Sequence, residues 1–205
     1  MPCEPTVYVV DDDGAVRESL GFLLESVHLK VQSFSSADEF LAAERTRPAC
    51  VVLDVRMPGA SGVELLERMR QSQDHVPVIM LTAYGEIAVA VRSMKFGAID
   101  FIEKPYSDQL LLDRIQHAIE QDTKLYALDQ QRVNVLRRYE SLTPREREVM
   151  AMVVKGMANK SIATELALSE KTVEAHRAHV MEKMDVHALA DLVRAAMLAR
   201  AMPAE

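Results

Sequence analysis

Over the first 120 residues, five short apolar runs alternate with amphipathic stretches, and this alternation constrains the fold more than any other feature of the chain. Strand candidates fall at 6–10, 30–34, 50–54, 77–81 and 99–102. Helix candidates fall at 14–27, 36–45, 62–72, 86–96 and from 107 onward. Strict β/α alternation produces a parallel sheet covered by helices on both faces. Five such units fit a flavodoxin-like, doubly wound α/β domain with strand order 2-1-3-4-5.

In such a sheet, side chains at the carboxyl ends of the strands converge on one crevice. The residues found there carry chemistry. Asp11, Asp12 and Asp13 follow the first run. Asp54 ends the third, Thr82 follows the fourth, and Lys104-Pro105 follows the last. Asp11 and Asp12 beside Asp54 would repel one another unless a cation lay among them. Mg²⁺ suits that role, because it takes carboxylate and phosphate oxygens and keeps several waters. Asp54 can act as a nucleophile toward a phosphoryl donor and form an acyl phosphate. Lys104 can neutralise phosphoryl oxygens and Thr82 can donate a hydrogen bond to one. X–Pro bonds are where cis peptides occur, and a cis Lys104-Pro105 bond would aim the lysine.

The remaining 85 residues read differently. From 107 the helical pattern runs through Leu110, Leu111, Ile115, Ala118, Ile119, Leu125, Leu128 and Leu136 without Gly or Pro, as a long helix or helical linker to about Tyr139. Its leucine spacing allows either a coiled coil or packing against the first domain. Arg137 and Arg138 read as a solvated face. Thr143-Pro144 with Glu146 signals a new helix. Four short helices are expected, at about 144–155, 159–167, 170–184 and 187–201, with Gly156 ending the first and Ser169 capping the third. Ser36 with Glu39 has similar capping spacing in the first domain.

Within the last region, 159–184 has helix-turn-helix spacing. Ile162, Ala163 and Leu166 form one apolar stripe. Val173, His176, Val180 and Met184 form the next, with Lys171, Ala175, Ala178 and Glu182 opposite, flanked by Glu174 and His179. The pattern alone divides evenly between a small bundle for protein contact and a DNA reader. The formal charge of −7 lies in residues 1–140, with 15 Lys and Arg against 22 Asp and Glu; residues 141–205 carry nine of each. Composition therefore does not advertise nucleic-acid binding. His176 and His179 sit three apart with no third metal ligand near in sequence.

Two cysteines, Cys3 and Cys50, fit a reduced cytoplasmic protein better than a disulfide framework. No apolar run approaches the roughly 18 residues of a membrane span, and the first residues lack the pattern of a signal peptide.

Two families are matched by these residues. Asp11-Asp12, Asp54 followed by Met57-Pro58-Gly59 and Gly62, Thr82-Ala83, and the run from Gly97 to Lys104-Pro105 resemble the receiver domain of two-component response regulators. The run Leu142 to Val149, Gly156, Asn159 to Ala163, Leu166 and Ser169 to His176 resemble the LuxR-type DNA-binding domain. The whole chain resembles the NarL/FixJ class, nearest the FixJ type. The resemblance implies a receiver at 1–122, a helical linker at 123–140 and an all-α, four-helix helix-turn-helix domain at 141–205.

It further implies that a sensor histidine kinase phosphorylates Asp54 with Mg²⁺ bound by Asp12, Asp54 and the backbone carbonyl of Arg56, Asp11 acting through a metal-bound water. Thr82 and Phe101 would switch together; Phe101 keeps the ring but lacks the hydroxyl of the tyrosine many members carry. Tyr84 and Arg56 would flank the approach of hydrolytic water. Phosphorylation would drive a homodimer through the fourth helix, fifth strand and fifth helix. Glu174, Ala175 and Ala178 would meet base edges of promoter DNA, where some relatives carry lysine. Lys160, Lys171, Arg177 and Lys183, with Thr172, would hold the backbone, and RNA polymerase would be a further partner. A rival reading is a Mg²⁺-dependent phosphohydrolase of the haloacid dehalogenase type, whose Asp-x-Asp pair Asp11-Asp12-Asp13 satisfies, although Gly14 and Ala15 follow where threonine is usual. A third is a phosphorelay adaptor that does not bind DNA.

Overall fold

The computed structural model describes residues 4–83 and 87–200. It divides into two compact units, 1–126 and 127–205. The first holds strands β1 (Thr6–Val10), β2 (Lys30–Phe34), β3 (Ala49–Asp54), β4 (Val78–Thr82) and β5 (Asp100–Glu103), all paired in parallel in the order β2-β1-β3-β4-β5. Between them run α1 (Gly14–Ser26), α2 (Ala37–Ala42), α3 (Gly62–Gln71) and α4 (Ile87–Lys95); α5 (Asp108–Glu140) follows β5. The expected doubly wound α/β topology is present.

Successive strand side chains point to opposite faces of a sheet, and here each face has its own core. Tyr8, Val10, Val51, Leu53, Val78 and Met80 join residues of α2 and α3 on one side. Val7, Val9, Cys50, Val52, Ile79 and Leu81 join α1 and α5 on the other. The central strands read as unbroken apolar runs because both faces are buried. On α5, Leu111, Ile115, Ala118 and Ile119 recur at helical spacing and fill the second core.

Asp122 of α5 is fully buried. It accepts hydrogen bonds from Arg47 Nε at 3.2 Å and from the Ala49 N–H at 2.8 Å, so the helix is tied to the start of β3. The segment after α2 leaves the helix earlier than its sequence suggested, at Ala42, because its polar groups are drawn into tertiary bonds. Arg45 lies over the Phe40 ring and pairs with Asp74, and the Thr46 N–H donates to the Tyr8 hydroxyl at 2.6 Å. Both Arg47-Pro48 and Lys104-Pro105 are cis.

The second unit takes in the rest of α5 together with α6 (Pro144–Val154), α7 (Asn159–Glu165), α8 (Glu170–Met184) and α9 (Leu189–Arg200). Its core joins Leu142, Val149, Met150, Ile162, Val173, Val180, Met184 and Leu192. The α6 start carries a full capping box, with the Glu146 N–H donating to Thr143 Oγ1 and the Thr143 N–H donating to the Glu146 carboxylate. Ser169 caps α8 by accepting from the Thr172 N–H at 3.0 Å. Glu146 is also buried against Lys183 Nζ, and this bond holds its carboxyl at about 2, well below the usual range. α9 begins two residues later than expected, at Leu189.

Gly62 opens α3 directly beneath Asp54. A Cβ there would stand 2.1 Å from the Asp54 carbonyl oxygen, backbone that has no room to yield. Gly62→Ala is therefore expected to lift α3 off β3 and lower stability by about 2 kcal/mol or more. Urea unfolding checks this; a variant of unchanged midpoint would show that the loop absorbs the methyl.

Candidate functional site

Parallel strands bring their carboxyl ends to one edge, so Asp11 after β1, Asp54 at the end of β3, Thr82 at the end of β4 and Lys104 after β5 meet there. Lys104 Nζ donates to Asp54 Oδ1 at 2.7 Å and to Asp11 Oδ2 at 3.0 Å. The remaining oxygens are held by backbone: Arg56 N–H donates to Asp54 Oδ2 at 2.7 Å and Asp13 N–H to Asp11 Oδ1 at 2.9 Å. The Lys104 N–H in turn donates to the Thr82 carbonyl at 2.7 Å, which locks the end of β5 to that of β4. Asp11, Asp54 and Thr82 are buried, while Asp12 is exposed beside them.

The electrostatics follow from burial. Desolvation pushes the Asp11 carboxyl up, against the bonds from Asp13 and Lys104 that pull it down. Burial lowers Lys104, but its bonds to Asp54 and Asp11 outweigh that and hold it above its usual value. The ammonium is thus a fixed positive charge between two carboxylates.

Among the described residues no three His, Cys, Asp or Glu side chains gather closely enough to hold a metal ion by themselves. The donor set still fits Mg²⁺, which needs only one or two carboxylates and fills its other positions with water. Asp11 and Asp54 already converge on a single cation, Lys104. His179 Nδ1 lies 3.8 Å from the Glu146 carboxylate.

Phe101 on β5 is half-buried and packs against the core shared with α2 and α3. Tyr84 lies outside the described residues. In the second unit Glu174, Ala175 and Ala178 are exposed on α8, as are Lys160 and Lys171. Two expected cations are instead engaged internally: Arg177 donates to Asn159 Oδ1 at 2.6 Å, and Lys183 to Glu146 at 2.7 Å. The Thr172 hydroxyl pairs with Ser169 Oγ.

Sequence reasoning missed Arg17, whose Nη1 donates to the Asp11 carbonyl at 2.7 Å and holds the acidic loop. Its place one turn into the helix after three aspartates was the available signal. It also missed Arg138, read as solvated, which bonds the end of α8.

Comparison with known proteins agrees with this geometry. The response regulator receiver domain matches residues 7–116, and the luxR family of bacterial regulatory proteins matches 140–196. The transcriptional regulatory protein FixJ of Bradyrhizobium diazoefficiens is 44% identical over 97% of this chain and 98% of its own length. FixJ of Rhizobium meliloti is 42% identical over 94% and 95%. Among solved structures, response regulator StyR superposes with a TM-score of 0.88 at 41% identity, covering 95% of this chain and 99% of that one. A receiver fold joined to a helix-turn-helix unit defines a transcriptional response regulator. The chain belongs to the response-regulator family, with a receiver domain and a LuxR-type DNA-binding domain of the FixJ type. That membership replaces the phosphohydrolase alternative. Receivers of this family use Mg²⁺ in phosphorylation, and the family implies a histidine kinase partner, DNA binding and dimerisation. Among the described residues no helix is long and apolar enough to cross a membrane.

Removing the ammonium would leave Asp11 and Asp54 face to face. Lys104→Met is expected to cost about 2–4 kcal/mol at pH 7, below a full buried-pair loss because Lys104 is 24% exposed. The Asp11 carboxyl, pushed up by burial, costs stability once ionised, so the loss should shrink as pH falls from 7 toward 4. Mg²⁺ should restore more stability to the variant than to the parent protein. Urea titrations at pH 7 and pH 4, with and without Mg²⁺, check this; equal Mg²⁺ responses would contradict the shared-cation reading.

Proposed function

We propose that Asp54 is the phosphoacceptor, that a sensor histidine kinase is the donor, and that phosphorylation promotes homodimerisation and sequence-specific binding to promoter DNA. The observation that carries this reading is Lys104 Nζ bridging the buried Asp54 and Asp11 carboxylates.

In the transfer, an Asp54 oxygen attacks phosphorus, the phosphorus–nitrogen bond of the phosphohistidine breaks, and the imidazole nitrogen leaves with the bonding pair and takes up a proton. Lys104 exchanges its bond to Asp54 for one to a phosphoryl oxygen, so no new charge need be brought in. Thr82 donates to another phosphoryl oxygen. Asp11, Asp12, Asp54 and the Arg56 carbonyl would hold Mg²⁺, which supplies charge opposite the phosphoryl group. Hydrolysis returns Asp54 to the free carboxylate when water attacks phosphorus, with Arg56 beside that approach. The kinase would seat in the groove beside Lys104, lined by Ala15, Phe22, Pro105 and Tyr106, where Phe22 is 67% exposed.

Phosphorylation draws Thr82 inward and Phe101 follows, which biases a two-state packing near α4. Ile87, Val91 and Met94 form an exposed apolar stripe on α4 at helical spacing, which supports a dimer face made by α4, β5 and α5. The receiver spans 1–122, and 123–140 links it to a DNA-binding region at 141–205. There α8 enters the major groove with Glu174, Ala175 and Ala178 toward the bases, a carboxylate accepting from cytosine and methyl groups touching thymine. Lys160, Lys171 and Thr172 hold the backbone, with Arg177 and Lys183 reaching it from their internal partners. RNA polymerase is the partner downstream, in the cytoplasm.

Asp54→Asn tests the link between site and DNA. With acetyl phosphate and Mg²⁺, the parent protein should bind a duplex selected from random sequence at least about tenfold more tightly than without, a gain of about 1.4 kcal/mol. The variant should show no gain. An equal gain in both proteins would remove Asp54 from the mechanism.

A further inference from the structure

The luxR family matches this chain from residue 140, yet the helix before that point contributes to the interior of the same unit. Val135 and Tyr139 of α5 pack against the core made by α6, α8 and α9. Arg147 of α6 lies over the Tyr139 ring at 5.2 Å and donates to the Glu140 carbonyl at 2.8 Å. Between these contacts Arg138 reaches the end of α8. Its Nη1 donates to the Met184 carbonyl at 3.2 Å, and its Nη2 pairs with the Asp185 carboxylate.

The end of α8 needs such a partner. The last carbonyls of a helix have no partner within it. Here Asp185 N–H donates to Glu182 and Val186 N–H to Met181, both at 3.0 Å, in the pattern of a Schellman cap. The residue at the turn of that cap is usually glycine, because it adopts left-handed backbone; Asp185 has φ 53°. An aspartate there bears the Cβ penalty of that conformation. It also sets a negative charge at the negative end of the helix dipole. Arg138 offsets the charge and caps the Met184 carbonyl together.

α8 has 15 residues, a length of about 22 Å. Val173, Val180 and Met184 hold its inner side in the core, Arg177 on Asn159 braces its middle, and Lys183 on Glu146 and Arg138 anchor its C-terminal turn. Glu174, Ala175 and Ala178 are exposed on the other side. With the inner side seated in the core, the contact at the C-terminal turn sets the tilt of the exposed face.

We propose that Arg138 is a positioning residue for DNA recognition: it fixes the angle at which α8 presents its exposed face, so the DNA-reading unit begins at Val135 rather than at 141. This rests on α8 being the helix that reads DNA. Both partners of the ion pair are partly exposed, at 40% and 64%, and exposed pairs contribute little. The charge-assisted bond to the part-buried Met184 carbonyl therefore supplies most of the energy that holds the angle.

The test uses the full chain treated with acetyl phosphate and Mg²⁺, a duplex selected from random sequence by the parent protein, and a scrambled duplex. Arg138→Ala should bind the selected duplex about tenfold more weakly and the scrambled one within about twofold. Its salt slope and phosphate uptake should be unchanged. Because the readout is the ratio between duplexes, a smaller folded fraction does not move it. The double variant Arg138→Ala with Asp185→Asn should not recover the ratio, because the tether to Met184 is still missing. Recovery there would show that Arg138 only cancels the Asp185 charge, and would overturn the proposal. So would an unchanged ratio in Arg138→Ala. Equal weakening on both duplexes with the salt slope flattened by about one unit would make Arg138 a phosphate contact instead. If the parent protein selects no sequence at all, α8 is not a DNA reader and the proposal falls with it.

Discussion

One ammonium between two buried carboxylates governs the first unit. Lys104 lies within hydrogen-bonding distance of both Asp11 and Asp54. Two carboxylates brought this close and out of water cannot both stay ionised without a cation between them. Every element nearby is arranged to keep that cation in place. The Thr82 carbonyl holds the Lys104 backbone, the Asp13 and Arg56 N–H groups take the outer carboxylate oxygens, and Arg17 fixes the Asp11 loop. The missing side chain at Gly62 lets α3 come close enough to support Asp54 from below. An incoming phosphoryl group is anionic, so it can take over the ammonium without rebuilding the site. A local exchange of hydrogen bonds is then available as a signal.

Much of this was legible in the sequence because it depends on local rules. The alternating runs forced a parallel sheet, and a parallel sheet forces its strand-ending residues together; Asp11, Asp54, Thr82 and Lys104 follow from that alone. Capping pairs such as Thr143 with Glu146 depend on spacing within one turn and were equally readable. What escaped were side chains whose partners are distant backbone atoms. Asp122 reads as one polar residue in a helical pattern, and only the fold reveals that it receives the Ala49 N–H at the start of β3. Arg138 beside Arg137 reads as surface charge, and only the fold brings it to the last carbonyl of α8. The early end of α2 has the same origin, since Arg45 and Thr46 find tertiary partners stronger than the helix offers them.

The helix-turn-helix unit shows how a neutral domain can still face a polyanion. Its cations are divided by role. Arg177 and Lys183 are drawn inward to Asn159 and Glu146, where they brace α8 against α7 and α6. Lys160 and Lys171 remain exposed. In the proposed reading, discrimination comes from the shape and hydrogen bonding of the exposed α8 face, and the angle of the helix, braced by Arg177, Lys183 and Arg138, matters to it.

The central claim is that Asp54 alone carries the phosphoryl group. Protein treated with acetyl phosphate and Mg²⁺ can be reduced with borohydride, which converts an acyl phosphate to the corresponding alcohol and leaves free carboxylates untouched. Mass spectrometry of the peptides then locates the change. Modification at residue 54 and at no other position is the predicted result; modification at Asp11, Asp12 or Asp13 with Asp54 intact would contradict the account.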